Sequence, residues 1–273
     1  MTYCLAITLK DGIVFASDSR TNAGVDYVTT YSKMHTFKPG PDRFFVLLSA
    51  GSLATTQEVV SRIQVDIDEG VNQPNLATVK QLFEAAHYVG QMSRQVQDSH
   101  ATALSQRGVS GDATFILGGQ IQGHPHGIFM VYTEGNFISA SEETPYLQIG
   151  ESKYGKPILD RLISQTWSLE EAARCAIMSI DSTIQANVSV GPPIELTLYQ
   201  RDSFTDTQHL CLKRNDPFYK AMRKGWHQGL SQAFNQLPRF AWESKPDPAG
   251  TVLSQTSPAV ASPQAPSVTD GGG

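Results

Sequence analysis

Thr2, Asp18 and Lys33 are residues of types that together could make a nucleophile in this 273-residue chain. An alcohol is a weak nucleophile at neutral pH and needs a base beside it. Methionine ahead of a small residue such as Thr2 is expected to be trimmed after synthesis, leaving a free α-amine next to the hydroxyl. That amine, with a reference pKa of about 7.7–8.0, can take up a proton close to neutrality. One residue then supplies both nucleophile and base. A lysine near the hydroxyl stabilises the developing alkoxide, and a carboxylate holds the lysine in place; Lys33 and Asp18 are the candidates. Without Thr2, the same two side chains read as an ordinary salt bridge. Gly51 is the fourth candidate. Opening an amide needs donors aimed at the oxyanion, and Gly51 stands where an apolar run gives way to a helical pattern, whose first amides lack internal partners. Glycine also suits a tight turn there on its own account, and the two readings are compatible.

The elements that must position these groups begin at once. Tyr3-Cys4-Leu5-Ala6-Ile7-Thr8-Leu9 is a short apolar run, Lys10-Asp11-Gly12 a turn, and Ile13-Val14-Phe15-Ala16 a second run leading into Ser17-Asp18-Ser19-Arg20. Asp-Gly between two apolar runs predicts a hairpin. With the turn near residues 10–11, paired residue numbers sum to about 21 to 23, which places Thr2 opposite roughly residues 19–21. Thr2 and Asp18 therefore share one end of the hairpin. Residues 27–37 are rich in β-branched and aromatic types and read as extended, with Lys33 on or beside a strand.

Several motifs in order resemble one family. They are Met1-Thr2-Tyr3-Cys4, Ser17-Asp18-Ser19-Arg20-Thr21-Asn22-Ala23-Gly24-Val25-Asp26 and Tyr31-Ser32-Lys33-Met34. Ser49-Ala50-Gly51-Ser52, Gly150-Glu151-Ser152-Lys153-Tyr154-Gly155-Lys156-Pro157, and Asp181-Ser182-Thr183 leading to Val190-Gly191-Pro192-Pro193 complete the set. They resemble the proteasome β-type subunits of the N-terminal nucleophile hydrolases, most of all the bacterial proteasome-like group called Anbu. The likeness covers about residues 1–235. It implies a four-layer αββα sandwich. It also implies Thr2 as nucleophile, Asp18 and Lys33 as its carboxylate and lysine, and the Gly51 amide as oxyanion donor. Arg20 is expected to support Asp18 or the neighbouring turn, and Asp181 to stand near the α-amine. One position departs from the proteasome pattern: Gly150 is followed by Glu151 where proteasome β subunits carry a serine that relays protons. Glu151 can accept a proton or pair with the α-amine, Ser152 is a possible substitute for the serine, and the Anbu group shares the Glu-type motif.

Composition limits the alternatives. A chain 40% hydrophobic can bury one sizeable core. A net charge of −5 with no run of lysine or arginine argues against nucleic acid. No stretch reaches the about 18 consecutive apolar residues of a membrane helix, and no signal peptide is visible. Cys4, Cys175 and Cys211 are odd in number and far apart, which points to a reduced, cytoplasmic setting; Cys4 reads as a small core residue. His124 and His126 on a Gly/Pro turn make a weak metal pair, and no metal or cofactor is expected.

Further along, Phe44–Ala50 reads as a buried strand, and helices are predicted from Leu53 to about Glu69 and from about Leu76 to Leu104. Strands are expected at Ala113–Gly118, Gly127–Tyr132 and near Phe137–Ala140, then a turn at Ile149-Gly150-Glu151 and a helix from about Tyr154 to Ile163. Ser168-Leu169-Glu170-Glu171 is a capping box opening a helix to about Ala186. Strands at Ile194–Gln200 and Gln208–Lys213 and a helix from Asp216-Pro217 to about Phe234 finish an α+β domain. Residues 236–273, rich in Pro, Ser, Ala and Gly, are expected to be a disordered tail, though Phe240 and Trp242 could dock on a neighbour.

The expectation is a cytoplasmic threonine-type peptidase or amidase working as a homo-oligomer, by resemblance a ring or open ring. Alternatives are an amidase for a specific small non-protein amide, and a proteasome-like scaffold with little activity. Nothing precedes Met1-Thr2 here, so methionine removal rather than self-cleavage is expected. A Gly-x-x-x-x-Gly-Lys-Ser/Thr motif is lacking, so any ATP-driven unfolding would come from a separate partner.

Overall fold

A computed structural model describes residues 2–22 and 28–243 of the chain. Met1, residues 23–27 and the tail from 244 onward lie outside the described residues, and with them the trimming of methionine, the Ala23-to-Asp26 part of the second motif and most of the expected disorder. The chain divides into two compact units, Met1–Ser231 and Gln232–Gly273. That break falls inside the last helix rather than after it.

The opening hairpin is β1 (Tyr3–Leu9) and β2 (Gly12–Asp18), joined by a two-residue turn in which Cys4 pairs with Ser17 and Leu9 with Gly12. Each pair sums to 21, the low end of the expected register. A two-stranded ribbon of β3 (Arg20–Asn22) and β4 (Val28–Thr30) follows, then β5 (Met34–Gly40) and β6 (Arg43–Gly51). Lys33 is the residue just before β5.

Helix α1 (Leu53–Glu69) starts where Ser52 accepts the Thr55 amide and stops at Gly70, whose φ of 67° is left-handed. Helix α2 (Leu82–Ser105) begins later than the apolar spacing predicts. Leu76 and Val79 are buried, so they mimic a helical face, but the backbone there turns around Asn75. The Asn75 amide donates to Asp66 O at 2.7 Å and Val71 O at 3.0 Å while its oxygen accepts Ala77 N at 2.9 Å. Helix proper waits for the Gln81–Glu84 capping box.

Strands β7 (Ala113–Ile121), β8 (Gly127–Val131) and β9 (Phe137–Ser139) continue the sheet of β5 and β6, giving the order β5-β6-β7-β8-β9. The stretch read as a turn at Ile149-Gly150 is instead the end of a strand, β10 (Tyr146–Gly150), paired antiparallel with β1 so that Tyr3 lies opposite Gly150. Helices α3 (Lys156–Leu162) and α4 (Leu169–Ala186), strands β11 (Ile194–Gln200) and β12 (Asp206–Leu212), and α5 (Pro217–Asn235) complete the order. The second sheet runs β10-β1-β2-β11-β12.

Period-two alternation sorts the strand residues among three cores. Tyr3, Leu5, Ile7 and Leu9 join Val14 and Ala16 under α4. Cys4, Ala6, Ile13 and Phe15 meet Phe44, Val46 and Leu48 between the sheets. Phe45, Leu47, Phe115 and Leu117 pack under α1 and α2. Inner strands are buried on both faces, which is why they read as continuous apolar runs rather than as alternation. The arrangement is helices, sheet, sheet, helices: the four-layer αββα sandwich.

Candidate active site

Thr2 sits at the head of an inner strand, tied down on one side by β2 and on the other by β10. The Tyr3 amide donates to Asp18 Oδ1 at 3.0 Å, and the Glu151 amide donates to the Thr2 carbonyl at 2.7 Å. The Thr2 backbone is thus anchored rather than frayed.

Asp18 is fully buried and Lys33 is only 5% exposed. Lys33 Nζ donates to Asp18 Oδ1 at 2.7 Å and to the Arg20 carbonyl at 2.6 Å. Asp18 Oδ2 accepts the Gly191 amide at 3.0 Å. Burial pushes the Asp18 carboxyl above the usual carboxylate range, opposed by the Lys33 ammonium and the two backbone amides. Arg20 shapes the turn that supplies Gly191: its Nη1 donates to Val188 O at 2.6 Å and its own amide to Gly191 O at 3.2 Å.

Gly51 ends β6 one residue before the Ser52 cap, with a φ of +112°. A Cβ there would lie 2.2 Å from Asp112 O, so any side chain is excluded on steric grounds as well as by conformation. Thr2, Lys33, Gly51 and Gly150 line one cavity of about 520 Å³, together with Arg20, Thr21, Ser49, Ala50, Leu53 and Thr56.

The far side of Thr2 is built by β10. Gly150 has a φ of +81°, and a Cβ on it would meet the Thr2 carbonyl oxygen at 2.0 Å. Glu151 follows with its carboxylate only 10% exposed, 3.6 Å from Lys153 Nζ. Asn187 Nδ2 donates to Glu151 Oε2 at 2.9 Å. The orientation of that amide is set by its other end, because Asn187 Oδ1 accepts both the Ser189 amide at 3.0 Å and the Ser189 hydroxyl at 2.6 Å. Ser152 is half-buried, and its amide donates to Gly150 O at 3.0 Å.

Asp181 is spent elsewhere. It is 6% exposed on α4, where it accepts the Tyr219 hydroxyl and lies 2.8 Å from Arg223 Nε, both on α5. The side chain that faces Glu151 is Asn187, beyond the C-terminus of that helix. Asn187 and Gly191 were not singled out for roles in the sequence. Their place in the Asp181-to-Pro193 motif was the available signal, but a neutral amide and a backbone N–H carry no marker of chemistry. Cys4 is a buried core thiol bonded to Ser49 O at 3.6 Å and raised by burial, so it does not compete as a nucleophile. His126 Nε2 is bonded to the Leu9 carbonyl at 2.7 Å, and no group of three metal-ligating side chains occurs among the described residues.

Four layers with a threonine at the head of an inner strand define the N-terminal nucleophile hydrolase type of protein. The chain belongs to the proteasome-subunit family, which it matches over residues 2–198. It is 25% identical over 217 residues to a proteasome subunit beta of Haloquadratum walsbyi, an alignment covering 76% of this chain and 77% of that one. Among solved structures it is similar to Anbu (ancestral beta-subunit) from Yersinia bercovieri, with 44% identity, a TM-score of 0.80, and coverage of 88% and 99% of the two chains. It is also similar to the Anbu complex of Pseudomonas aeruginosa, solved as a helical assembly, with 41% identity, a TM-score of 0.82, and coverage of 87% and 98%. Among the described residues no helix is long and apolar enough to cross a membrane.

Proposed function

We propose that this protein is a threonine-type peptidase that attacks with the Thr2 hydroxyl once Met1 has been removed. The α-amine takes the hydroxyl proton, the Lys33 ammonium stabilises the developing alkoxide, and Asp18 fixes Lys33. The alkoxide adds to the substrate carbonyl, and the Gly51 amide accommodates the oxyanion. Collapse of the adduct gives an ester on Thr2, with the leaving amine taking the proton from the α-ammonium. Water, deprotonated by the α-amine, then hydrolyses the ester and restores the enzyme. Glu151 would stand as the acidic neighbour of this proton transfer, held by Asn187. The observation that carries the reading is the single cavity lined by Thr2, Lys33 and Gly51, with Asp18 locked behind it.

Intact mass of the protein before and after a threonine-directed electrophile tests it. Loss of Met1 with one stoichiometric adduct is expected, and no adduct in a folded Thr2→Ala variant. Retained Met1 or unchanged labelling of Thr2→Ala overturns the reading and favours a scaffold.

The helical assembly of the Pseudomonas relative supports a homo-oligomer, to be checked by the mass of the particle in solution. A cavity of about 520 Å³ also suits a small amide. Turnover of small amides without degradation of unfolded protein would select that narrower substrate class.

A further inference from the structure

We infer that Glu195 is a positioning residue for the Asp18–Lys33 pair, an inference resting on the threonine-hydrolase reading above. Glu195 lies on β11 opposite Ser17 of β2, which in turn faces Cys4 of β1. Its carboxylate spans two segments. Oε1 accepts the Ser19 hydroxyl at 2.6 Å and Oε2 accepts the Ser32 hydroxyl at 2.7 Å. Ser19 is the residue after Asp18, and Ser32 is the residue before Lys33.

That placement matters because Asp18 and Lys33 reach each other from separate stretches of chain. Asp18 ends a strand of one sheet and Lys33 precedes a strand of the other. The backbone ties the stretches through Tyr31 N to Ser19 O at 2.9 Å and, farther from the site, through the β3–β4 ribbon that pairs Arg20 with Thr30. A carboxylate holds two hydroxyls at a fixed spacing through its rigid O–C–O geometry, and hydrogen bonds to an ionised acceptor are short and strong. Among the described residues no lysine or arginine forms a salt bridge with Glu195, whose charge is felt at His35, Cys4 and Cys211, with Asp18 and Lys33 acting on the same Cys4. A half-buried carboxylate satisfied by two serines and no cation is suited to setting distance. Glu195 thereby fixes where the Lys33 ammonium points.

The test is the saturation kinetics of Thr2 labelling by a threonine-directed electrophile, in the full chain with Met1 removed. Glu195→Ala is expected to lower the maximal labelling rate about tenfold or more, because displacing a catalytic group by an ångström is costly. The half-saturating concentration is expected to stay the same, since the cavity does not include Glu195. Glu195→Gln retains an oxygen acceptor and restores most of the rate. A variant that loses thermal stability but labels at the wild-type maximal rate overturns the inference. Should Glu195→Ala fail to fold, Ser32→Ala removes one of the two links at an exposed residue and must still slow labelling; an unchanged rate overturns the inference. If the wild-type chain takes no adduct, the hydrolase reading fails separately. Hydrogen exchange at the Tyr31 and Ser49 amides, which bond to Ser19 O and Lys33 O, then decides the clamp. Faster exchange in Glu195→Ala, or in Ser32→Ala where that variant does not fold, supports it, and unchanged exchange sinks it.

Discussion

The two flanks of Thr2 are built on different physical terms. On the Asp18–Lys33 flank every oxygen of a fully buried carboxylate is bonded, to two backbone amides and an ammonium, and the ammonium has a carbonyl as well. On the Gly150–Glu151–Asn187 flank the carboxylate has one amide and one distant lysine, Asn187 is half-buried, and neighbouring Val188 is 81% exposed. The first flank is a preorganised electrostatic frame in a low-dielectric site, where reorganisation during a reaction is small. The second is held by fewer bonds and is the more open of the two, its carboxylate 10% exposed beside the exposed Val188. On the proposed reading the closed flank carries the chemistry common to threonine hydrolases, and the open one carries the Glu151 departure from the proteasome pattern.

The largest separation of the two is expected from Lys33→Ala. It leaves the Asp18 carboxylate buried without its cation, a loss of about 3–5 kcal/mol for a broken buried pair, and it abolishes labelling of Thr2. The Asp18 pKa, already raised by burial, rises further without the ammonium. A folded-state value above the unfolded one means that the variant is most stable below the unfolded carboxylate value of about 3.9 and loses stability as pH rises through the folded value. The gap in denaturation midpoint between variant and wild type should therefore widen from acid to neutral pH. A constant gap would mean that the Lys33 ammonium does not lower the Asp18 carboxyl in the folded protein.

Gly150→Ala comes next. Its Cβ would lie 2.0 Å from the Thr2 carbonyl, at a φ of +81° that costs a non-glycine residue about 1–3 kcal/mol. The strand end must move and take Thr2 with it, so the labelling rate is expected to fall about 100-fold while the fold persists. Wild-type labelling in this variant would show that the open flank does not position the nucleophile.

Asn187→Asp is the mildest. It places a second carboxylate at the present 2.9 Å contact with Glu151, and two such groups cannot both ionise cheaply. The second proton of the pair then leaves above the ordinary carboxylate range, with apparent values belonging to the pair. The pH profile of Thr2 labelling should change on its acid side relative to the wild type, with a change of about tenfold or less at its optimum. An unaltered pH profile would detach Glu151 from the proton transfer.

Much of the closed flank was legible in the chain itself. An Asp-Gly turn between two apolar runs fixes a hairpin register by local geometry, and that register alone places Thr2 beside the Asp18 end. Helices α1 and α4 announce their starts through Ser52 and the Ser168 capping box, which act over three residues. Leu76 and Val79 misled because buried turn residues satisfy the same spacing as a helical face. The strand nature of Tyr146–Gly150 was hidden as well, since an edge strand that short declares itself only through its partner, here β1, 139 to 147 positions away in the chain. Asn187 at Glu151, Gly191 at Asp18 and Glu195 between Ser19 and Ser32 are likewise junctions of distant segments. Sequence by itself singled out Thr2, Lys33 and Asp18 as candidate nucleophile, lysine and carboxylate, and most of the elements that carry them, because local propensity and residue chemistry suffice for those. Tertiary structure alone decided which neutral amides and second carboxylates complete the site. Hydrogen bonds of 2.6–3.0 Å between residues 36 to 176 positions apart leave no periodic trace in the chain that makes them.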